Sequence, residues 1–133
     1  VISENFRYIP MLVYEEDKED PRCTACGICA RVCPPQCIWI VRSTDPETGR
    51  PVPEPEQFYI DVDICMNCGF CAEYCPFDAI KMDHNYEIAS YSRNVFNLER
   101  LLKPASYYAD IRPLNAVRED EARRAKEAAK AAA

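Results

Sequence analysis

The chain has 133 residues, of which 48% are hydrophobic, and its 22 acidic and 16 basic residues give a formal net charge of −6. This length suits one domain, and the acidic balance excludes the basic surface that a nucleic-acid-binding protein needs. No apolar run approaches the roughly 18 residues of a membrane span, so we expect a soluble or peripheral protein.

Four short runs predict β-strands, because aromatic and β-branched residues stand there between breakers. In chain order they are residues 11–14, 38–41, 58–61 and 79–82. Residues 43–57 contain four prolines and Gly49, a composition that predicts a long loop between the second and third strands. We expect two small two-stranded sheets, one in each half of the chain.

The pattern changes after residue 83. We expect residues 85–94 to form an extended arm and residues 97–102 to form a short helix. The stretch between Pro104 and Pro113 is expected to be irregular. Asn115 is expected to cap a final helix from residue 116 to the end. This last segment is rich in Ala, Glu, Arg and Lys without an apolar stripe, which indicates a solvated helix or a disordered tail.

The cysteines follow an internal repeat, with each member of the first set 42 residues before its counterpart. The first set is Cys23, Cys26, Cys29 and Cys33, and the second set is Cys65, Cys68, Cys71 and Cys75. Gly27 and Pro34 also recur, as Gly69 and Pro76. We therefore expect a domain at residues 1–84, with repeats at about 11–42 and 58–84, and a C-terminal arm and tail at residues 85–133.

Both repeats have the form Cys-x2-Cys-x2-Cys-x3-Cys-Pro, which is the ligand run of bacterial ferredoxins. Three cysteines spaced by three on a tight loop can bind three iron corners of one [4Fe–4S] cluster, while the fourth is carried away to the other cluster. The motif predicts an α+β ferredoxin-like fold with a pseudo-twofold repeat, small antiparallel β-hairpins, short helices and two [4Fe–4S] clusters. The first cluster is assigned to Cys23, Cys26, Cys29 and Cys75, and the second to Cys65, Cys68, Cys71 and Cys33.

Other uses of nine cysteines fit less well. A secreted disulfide framework is disfavoured by the odd number and by the spacing. A structural zinc site usually takes two Cys-x2-Cys knuckles, and three cysteines within seven residues match that pattern poorly. The two predicted clusters indicate one-electron transfer. No nucleotide loop or nucleophile–base pair stands out, so we expect no substrate-converting site.

Several further residues allow two interpretations. Cys37 is expected to be a small buried residue, because Ala79 stands at its position in the second repeat, with an alternative role as a ligand. Ile28 and Phe70 could exclude water from the clusters. His84 is expected at the surface, with a proton-coupled role as the alternative. The acidic run 15–20 predicts a solvated turn, and the tyrosines could cover the core or contact a partner: Tyr86, Tyr91, Tyr107 and Tyr108.

The wider pattern resembles one family, the ferredoxin-like iron–sulfur subunit of respiratory complex I, called chain I in bacterial NADH–quinone oxidoreductase. The resemblance covers about residues 8–93. It rests on the 42-residue offset, the proline-rich insert before Phe58-Tyr59-Ile60-Asp61, the first-motif run Cys33-Pro34-Pro35-Gln36-Cys37-Ile38, the second-motif run Cys75-Pro76-Phe77-Asp78-Ala79-Ile80, and the arm Tyr86-Glu87-Ile88-Ala89-Ser90-Tyr91-Ser92-Arg93.

The resemblance implies a relay subunit in the peripheral arm, where two tetranuclear clusters carry electrons from NADH and flavin toward the cluster that reduces quinone. Its partners would be the iron–sulfur and quinone-site subunits of that arm. It would lie on the cytoplasmic side of the bacterial inner membrane, or on the matrix or stromal side in an organelle. Because the chain starts at Val1 without Met, upstream residues are expected to be missing. The alternatives are a diffusible ferredoxin carrier and a relay subunit of a related membrane-bound hydrogenase or ferredoxin-driven complex.

Overall fold

The computed structural model describes residues 2–19 and 21–133, so Val1 and Asp20, the last residue of the expected acidic turn, lie outside it. The strands are β1 (Pro10–Tyr14), β2 (Ile38–Thr44), β3 (Pro51–Asp61), β4 (Ile80–Met82), β5 (Val95–Phe96) and β6 (Leu102–Pro104). The helices are α1 (Ile28–Val32), α2 (Phe70–Tyr74), α3 (Leu98–Leu101), α4 (Ala105–Ile111) and α5 (Pro113–Ala132). The expected α+β composition of small sheets and short helices is confirmed.

The first sheet has the strand order β4-β1-β6. Leu12 is its centre, because it stands opposite Ile80 in antiparallel β4 and opposite Leu102 in parallel β6. Leu12 and Val13 are completely buried, as a run without polar residues predicts for a central strand. The second sheet has the order β2-β3-β5, with Ile38 opposite Ile60.

Two expectations about these sheets are wrong. The sheets have three strands each, and the first sheet pairs β1, from the first half of the chain, with β4, from the second half. Local sequence could not predict that β1 pairs with β4, because all the predicted strands carry similar apolar runs. The third strands, β5 and β6, come from the segment after residue 84.

The expected long loop at residues 43–57 is also wrong, because β2 continues to Thr44 and β3 begins at Pro51. The hairpin tolerates proline because β5 pairs only with Ile60 and Asp61, which leaves the other edge of the proline-rich part of β3 unpaired within the described chain. Two register shifts, between Val41 and Thr44, accommodate the irregular backbone.

The arm at residues 85–94 contains no helix or strand, as expected. It is held at its end by Arg93, whose Nε donates to the buried Asp61 carboxylate at 2.6 Å. This hydrogen bond is the main cause that raises the pKa of Arg93. The short helix α3 is confirmed, and the Asn97 side chain caps it by accepting from the Arg100 N–H at 3.0 Å.

The end of the chain differs from expectation in two places. Residues 105–111 form α4 instead of an irregular stretch, because Tyr108 packs against Met11 and Ala116 in a small second core. The last helix starts at Pro113, not after Asn115, since proline suits the first helical position. Asn115 instead donates its backbone N–H to the Glu4 carboxylate at 2.8 Å. Of the two forms considered for the tail, the helix is confirmed.

The main core lies between the two sheets and the cysteine loops. Its fully buried members include Leu12, Phe58 and Ile60 from the sheets. Four cysteines belong to the same cluster of buried residues: Cys29, Cys33, Cys37 and Cys71. The thiols are therefore part of the core, and the space around them is the natural place to look for a functional site.

Candidate metal-cluster site

The two cysteine loops have the same backbone path. Gly27 and Gly69 both adopt the left-handed conformation, with φ of 78° and 79°, and each is the residue before a five-residue helix. Two residues earlier, Ala25 and Asn67 are also left-handed, both with φ of 56°. Two left-handed residues within three tighten each loop and turn its cysteines toward one side, and glycine adopts this conformation without strain.

The fourth cysteine of each motif ends the helix in an extended conformation. Cys33 has φ −67° and ψ 115°, and Cys75 has φ −69° and ψ 114°. The prolines that follow, Pro34 and Pro76, explain this, because proline disfavours a helical conformation in the residue before it. The chain therefore changes direction at the cysteine expected to serve the other loop.

Two cavities lie against the loops, with volumes of about 290 and about 320 Å³ including the parts open to solvent. Each is lined by three cysteines from one loop and the fourth cysteine of the other. The smaller is lined by Cys23, Cys26, Cys29 and Cys75, and the larger by Cys33, Cys65, Cys68, Cys71 and also Cys37. The eight predicted site residues thus come together in the two expected sets, while their role as ligands stays a prediction.

The remaining walls of both cavities are mostly apolar, and several of these residues lie in strands. Ile40 and Ile80 contribute to the smaller cavity, and Ile60 and Met82 to the larger one. The cysteine motifs do not predict these wall residues, although their place in the predicted strands was a usable signal. Of the two residues proposed to exclude water, Phe70 is 43% exposed and packs edge-on against Tyr74 instead, and Ile28 is not among the cavity-lining residues.

The thiols are in an environment that opposes ionisation when no cation is near. Burial raises the pKa of Cys29 to about 12, and repulsion from Cys23 and Cys75 adds to it. Burial likewise raises the pKa of Cys71 to about 12, with repulsion from Cys29 and Cys65 as the next causes. Four thiolates at such a place need a strongly positive partner, which is what an iron–sulfur core bound by cysteine sulfur would supply.

The donor set fits a group larger than one ion. Among residues 2–19 and 21–133, no three cysteine, histidine, aspartate or glutamate side chains converge so as to hold a single metal ion. The cysteines surround a space instead. Backbone N–H groups also reach sulfur, from Ala25 to Cys23 and from Ala79 to Cys75, each at 3.4 Å. Such N–H donors stabilise sulfur bound to a cluster.

The comparisons with known proteins agree with this geometry. A family model described as "4Fe-4S dicluster domain" matches residues 22–88, which contain all nine cysteines. NADH-quinone oxidoreductase subunit I 2 of Geobacter metallireducens is 39% identical over 103 residues, which are 76% of this chain and 75% of the relative. Subunit I 1 of Geobacter sulfurreducens is 41% identical over 76% of this chain and 74% of the relative. This chain belongs to the NADH-quinone oxidoreductase subunit I family.

The subunit I family also includes longer relatives. NADH-quinone oxidoreductase subunit I 2 of Symbiobacterium thermophilum is 39% identical over 106 residues, which are 78% of this chain and 43% of the relative. The chain therefore spans less than half the length of that relative. In this member of the subunit I family, none of the helices within the described residues has the length and apolar character needed to cross a membrane.

Cys37 is the one cysteine of this subunit I chain outside the two sets of four. It is 1% exposed, and its Sγ lies 3.5 Å from the Sγ of Cys33. Burial raises its pKa well above the ordinary value, and the hydrogen bond with Cys33 is the second cause. Ala79, at the corresponding position of the second repeat, is also 1% exposed. The expectation that Cys37 is a small buried residue is confirmed.

The histidine and the tyrosines lie away from the cysteines. His84 is partly buried, with its Nε2 3.0 Å from the Glu4 carbonyl oxygen and its ring edge against Phe6. Neither cavity includes it. Tyr108 is buried, whereas Tyr86 is half-exposed and Tyr91 fully exposed. The tyrosine set therefore divides between covering the core and facing solvent. Glu15, in the acidic turn, pairs with Arg22.

Proposed function

We propose that this chain is the two-cluster electron relay of an NADH–quinone oxidoreductase. The observation that carries the proposal is the pair of separate cavities, each lined by three cysteines of one loop and one of the other. Membership of the subunit I family supports the electron-transfer role. The chain has no substrate-converting site of its own in this proposal; it acts as an electron-transfer part of a larger enzyme.

The ligand sets are the crossed ones. Cys23, Cys26, Cys29 and Cys75 would hold one [4Fe–4S] cluster, and Cys65, Cys68, Cys71 and Cys33 the other, with the two halves related by a pseudo-twofold axis. When bound, each cluster supplies one-electron redox chemistry. The chain's own residues bind the irons, donate backbone N–H groups to sulfur, and exclude water with the apolar walls from β2, β3 and β4. A dry shell of this kind helps set the reduction potential.

The partners in this proposal are the iron–sulfur and quinone-site subunits of the peripheral arm. Residues 1–84 would be the cluster-holding domain and residues 85–133 the arm and tail, on the cytoplasmic side of a bacterial inner membrane or the matrix or stromal side in an organelle. Docking is supported by large apolar side chains that are 40% exposed or more on or beside the second cysteine loop: Ile64, Met66, Phe70 and Tyr74.

Iron analysis and low-temperature EPR test the cofactor. The reconstituted protein is expected to contain about eight irons per chain and, when reduced, to show two interacting S = 1/2 signals. Well under eight irons, or a colourless protein that binds zinc, would overturn the proposal.

The crossed ligand sets are tested with two double variants that each remove two cysteines. Cys33→Ala with Cys68→Ala takes both from one proposed cluster, so the signal of the other cluster is expected to remain unaltered. Cys33→Ala with Cys26→Ala takes one from each, so neither signal is expected to survive unaltered. The opposite outcome would mean that each motif keeps its own four cysteines.

The place in a larger enzyme is tested separately by size-exclusion chromatography of native membrane extracts. We expect the chain to migrate with quinone-reductase subunits. A small soluble peak would favour a diffusible carrier, and migration with hydrogenase subunits would favour the related hydrogenase complex.

A further inference from the structure

We propose that Cys37 is a positioning residue for one of the two clusters: its thiol donates a hydrogen bond to the sulfur of Cys33 and raises the reduction potential of that cluster alone. This inference rests on the proposed function, because it takes Cys33 to be a ligand. It goes further than the proposed function, because it predicts that Cys37 affects the reduction potential at one of the two duplicated sites and not at the other.

The geometry places the two sulfurs in contact. The Sγ atoms of Cys33 and Cys37 are 3.5 Å apart, within hydrogen-bonding distance for sulfur, and both side chains are buried. Both also line the larger cavity, together with Cys65, Cys68 and Cys71. The contact is therefore at the cluster site and away from solvent.

The backbone holds Cys37 in this position. Its carbonyl oxygen accepts a hydrogen bond from the Asp61 N–H at 2.9 Å, which ties it to the end of β3. On the other side, the Gln36 side chain donates to the Cys33 carbonyl oxygen at 2.7 Å and closes the turn between the two cysteines. A turn held at both ends keeps the two sulfurs together.

The direction of the hydrogen bond follows from the chemistry of the ligand. A cysteine sulfur that binds iron has lost its proton, so Cys33 can only accept. Cys37 lies outside both proposed ligand sets, so it has an S–H group available to donate. Its S–H is therefore the donor. Donors to sulfur stabilise the reduced cluster, which carries the more negative charge, and so raise the potential.

The other site lacks this donor. Ala79 stands 42 residues after Cys37, lines the smaller cavity and is equally buried, but it has a methyl group where Cys37 has a thiol. Its backbone N–H reaches Cys75, and it has no side-chain donor. Cysteine at position 37 thus gives the cluster bound by Cys33 a side-chain donor that the alanine at the corresponding position does not give the other cluster.

The test compares Cys37→Ala with Cys37→Ser, which keeps a hydroxyl donor in nearly the same volume. Both variants are first analysed for iron, and both clusters are then titrated by EPR in the full chain. The signal of the Cys33 cluster is identified as the one absent from the Cys33→Ala, Cys68→Ala variant. We expect Cys37→Ala to retain its iron and to shift the reduction equilibrium of that signal alone about threefold toward the oxidised state, as loss of one weak hydrogen bond would. Cys37→Ser is expected to restore the equilibrium.

Three results would overturn the inference. An unchanged potential in Cys37→Ala would show that the thiol does not act on the cluster, and an equal shift in Cys37→Ser would show that packing is responsible. Loss of iron from both variants would show that Cys37 is itself a ligand. A wild-type chain without iron–sulfur clusters would instead refute the proposed function, which is a separate failure.

Discussion

The two glycines of the cysteine loops share a conformation but not a neighbourhood. A Cβ atom built on Gly69 would lie 3.1 Å from Nη1 and 3.2 Å from Cδ of Arg7, whereas one built on Gly27 would meet nothing within 4 Å. The same Arg7 Nη1 donates to the Cys68 carbonyl oxygen at 2.9 Å. Arg7 therefore contacts the second loop, and within the described residues no side chain takes the corresponding place at Gly27.

Alanine substitution of the two glycines separates the backbone strain, which both positions share, from the contact with Arg7, which only Gly69 has. Gly27→Ala is expected to cost about 1 kcal/mol, the strain of a left-handed residue with a Cβ. Gly69→Ala is expected to cost about 1 kcal/mol more, because Arg7 must shift and loses its hydrogen bond. The measurement is the denaturant midpoint at which the loaded protein loses its cluster absorbance. In an Arg7→Ala background the difference is expected to vanish; its persistence would contradict this explanation.

Tyr107 is a residue whose titration affects stability at high pH. Burial raises its pKa to about 12, and the hydrogen bond that its hydroxyl donates to Asp83 at 2.7 Å is the next cause. An acid with a raised folded-state pKa holds its proton more tightly when folded. Its stabilising effect is therefore complete below the unfolded pKa of about 10 and is lost as the pH rises toward 12.

We expect the free energy of unfolding to fall over this pH range and to fall less in Tyr107→Phe. Denaturant unfolding of the loaded protein at a series of pH values measures the slope. Tyr91→Phe, at a fully exposed side chain, is the matched control and is expected to keep the wild-type slope. An identical slope in all three proteins would remove Tyr107 as the cause.

At the scale of elements, a buried charge links the last helix to the first sheet, in addition to the contacts that Asn115 and Arg123 make with the N-terminal part of the chain. The Lys81 ammonium, on β4 and only 7% exposed, lies 2.5 Å from the Glu119 carboxylate of α5. Tyr108 of α4 donates to the same carboxylate at 2.8 Å. Beyond this contact the helix is mostly exposed, with Ala116 as its one buried residue. Glu119 therefore links α4, α5 and the first sheet.

Glu119→Gln is expected to loosen α5. Among the described residues, Lys81 would keep only Asp78, at 3.6 Å, as an acidic partner. Loss of a charged hydrogen bond at a buried lysine is expected to cost about 2 kcal/mol. Hydrogen exchange should become faster in the first turns of α5 while the cysteine loops keep their protection. Glu127→Gln, on the exposed part of the same helix, is the control. Equal exchange in both variants would show that α5 is held by other contacts.

The sequence predicted elements whose signals are local and missed those that depend on remote contacts. Helix α3 was predicted from Asn97, whose side chain caps it directly. Helix α4 was missed because Pro104 and Pro113 looked like limits of a loop, and its stability comes from Tyr108 buried against β1. The proline-rich part of β3 was missed because an unpaired edge is a property of the sheet and not of the segment.

At the scale of the whole molecule, the proposed clusters lie within the core. Cys29 and Cys71 belong to the same buried cluster as Leu12, Phe58 and Ile60. The proposed ligands join loops that are far apart in sequence, so each cluster would act as a crosslink as well as a redox centre. Binding free energy at such a site becomes folding free energy.

Removal of iron is therefore expected to unfold the compact part of the chain. After chelation, near-ultraviolet circular dichroism should be lost, while part of the far-ultraviolet helical signal should remain because α5 is rich in alanine. Iron and sulfide added back should restore the native spectrum. An apo protein with native near-ultraviolet dichroism and an unchanged unfolding midpoint would show that the hydrophobic core is sufficient alone.

The sequence by itself determined the backbone conformation that the two cysteine loops share. The spacing of three cysteines, a glycine that tolerates positive φ, and the proline after the fourth cysteine act within a dozen residues, so both loops fold alike wherever the rest of the chain lies. The tertiary structure alone decided which strands pair and how α5 attaches. It also fixes one end of the turn that brings Cys37 against Cys33, through the Asp61 N–H of β3. Leu12 pairs with Ile80 and Leu102 in the sheet. Burial of apolar surface is favourable with any well-packed partner, because the hydrophobic effect is non-directional. A local sequence pattern therefore does not predict which strand will be the partner.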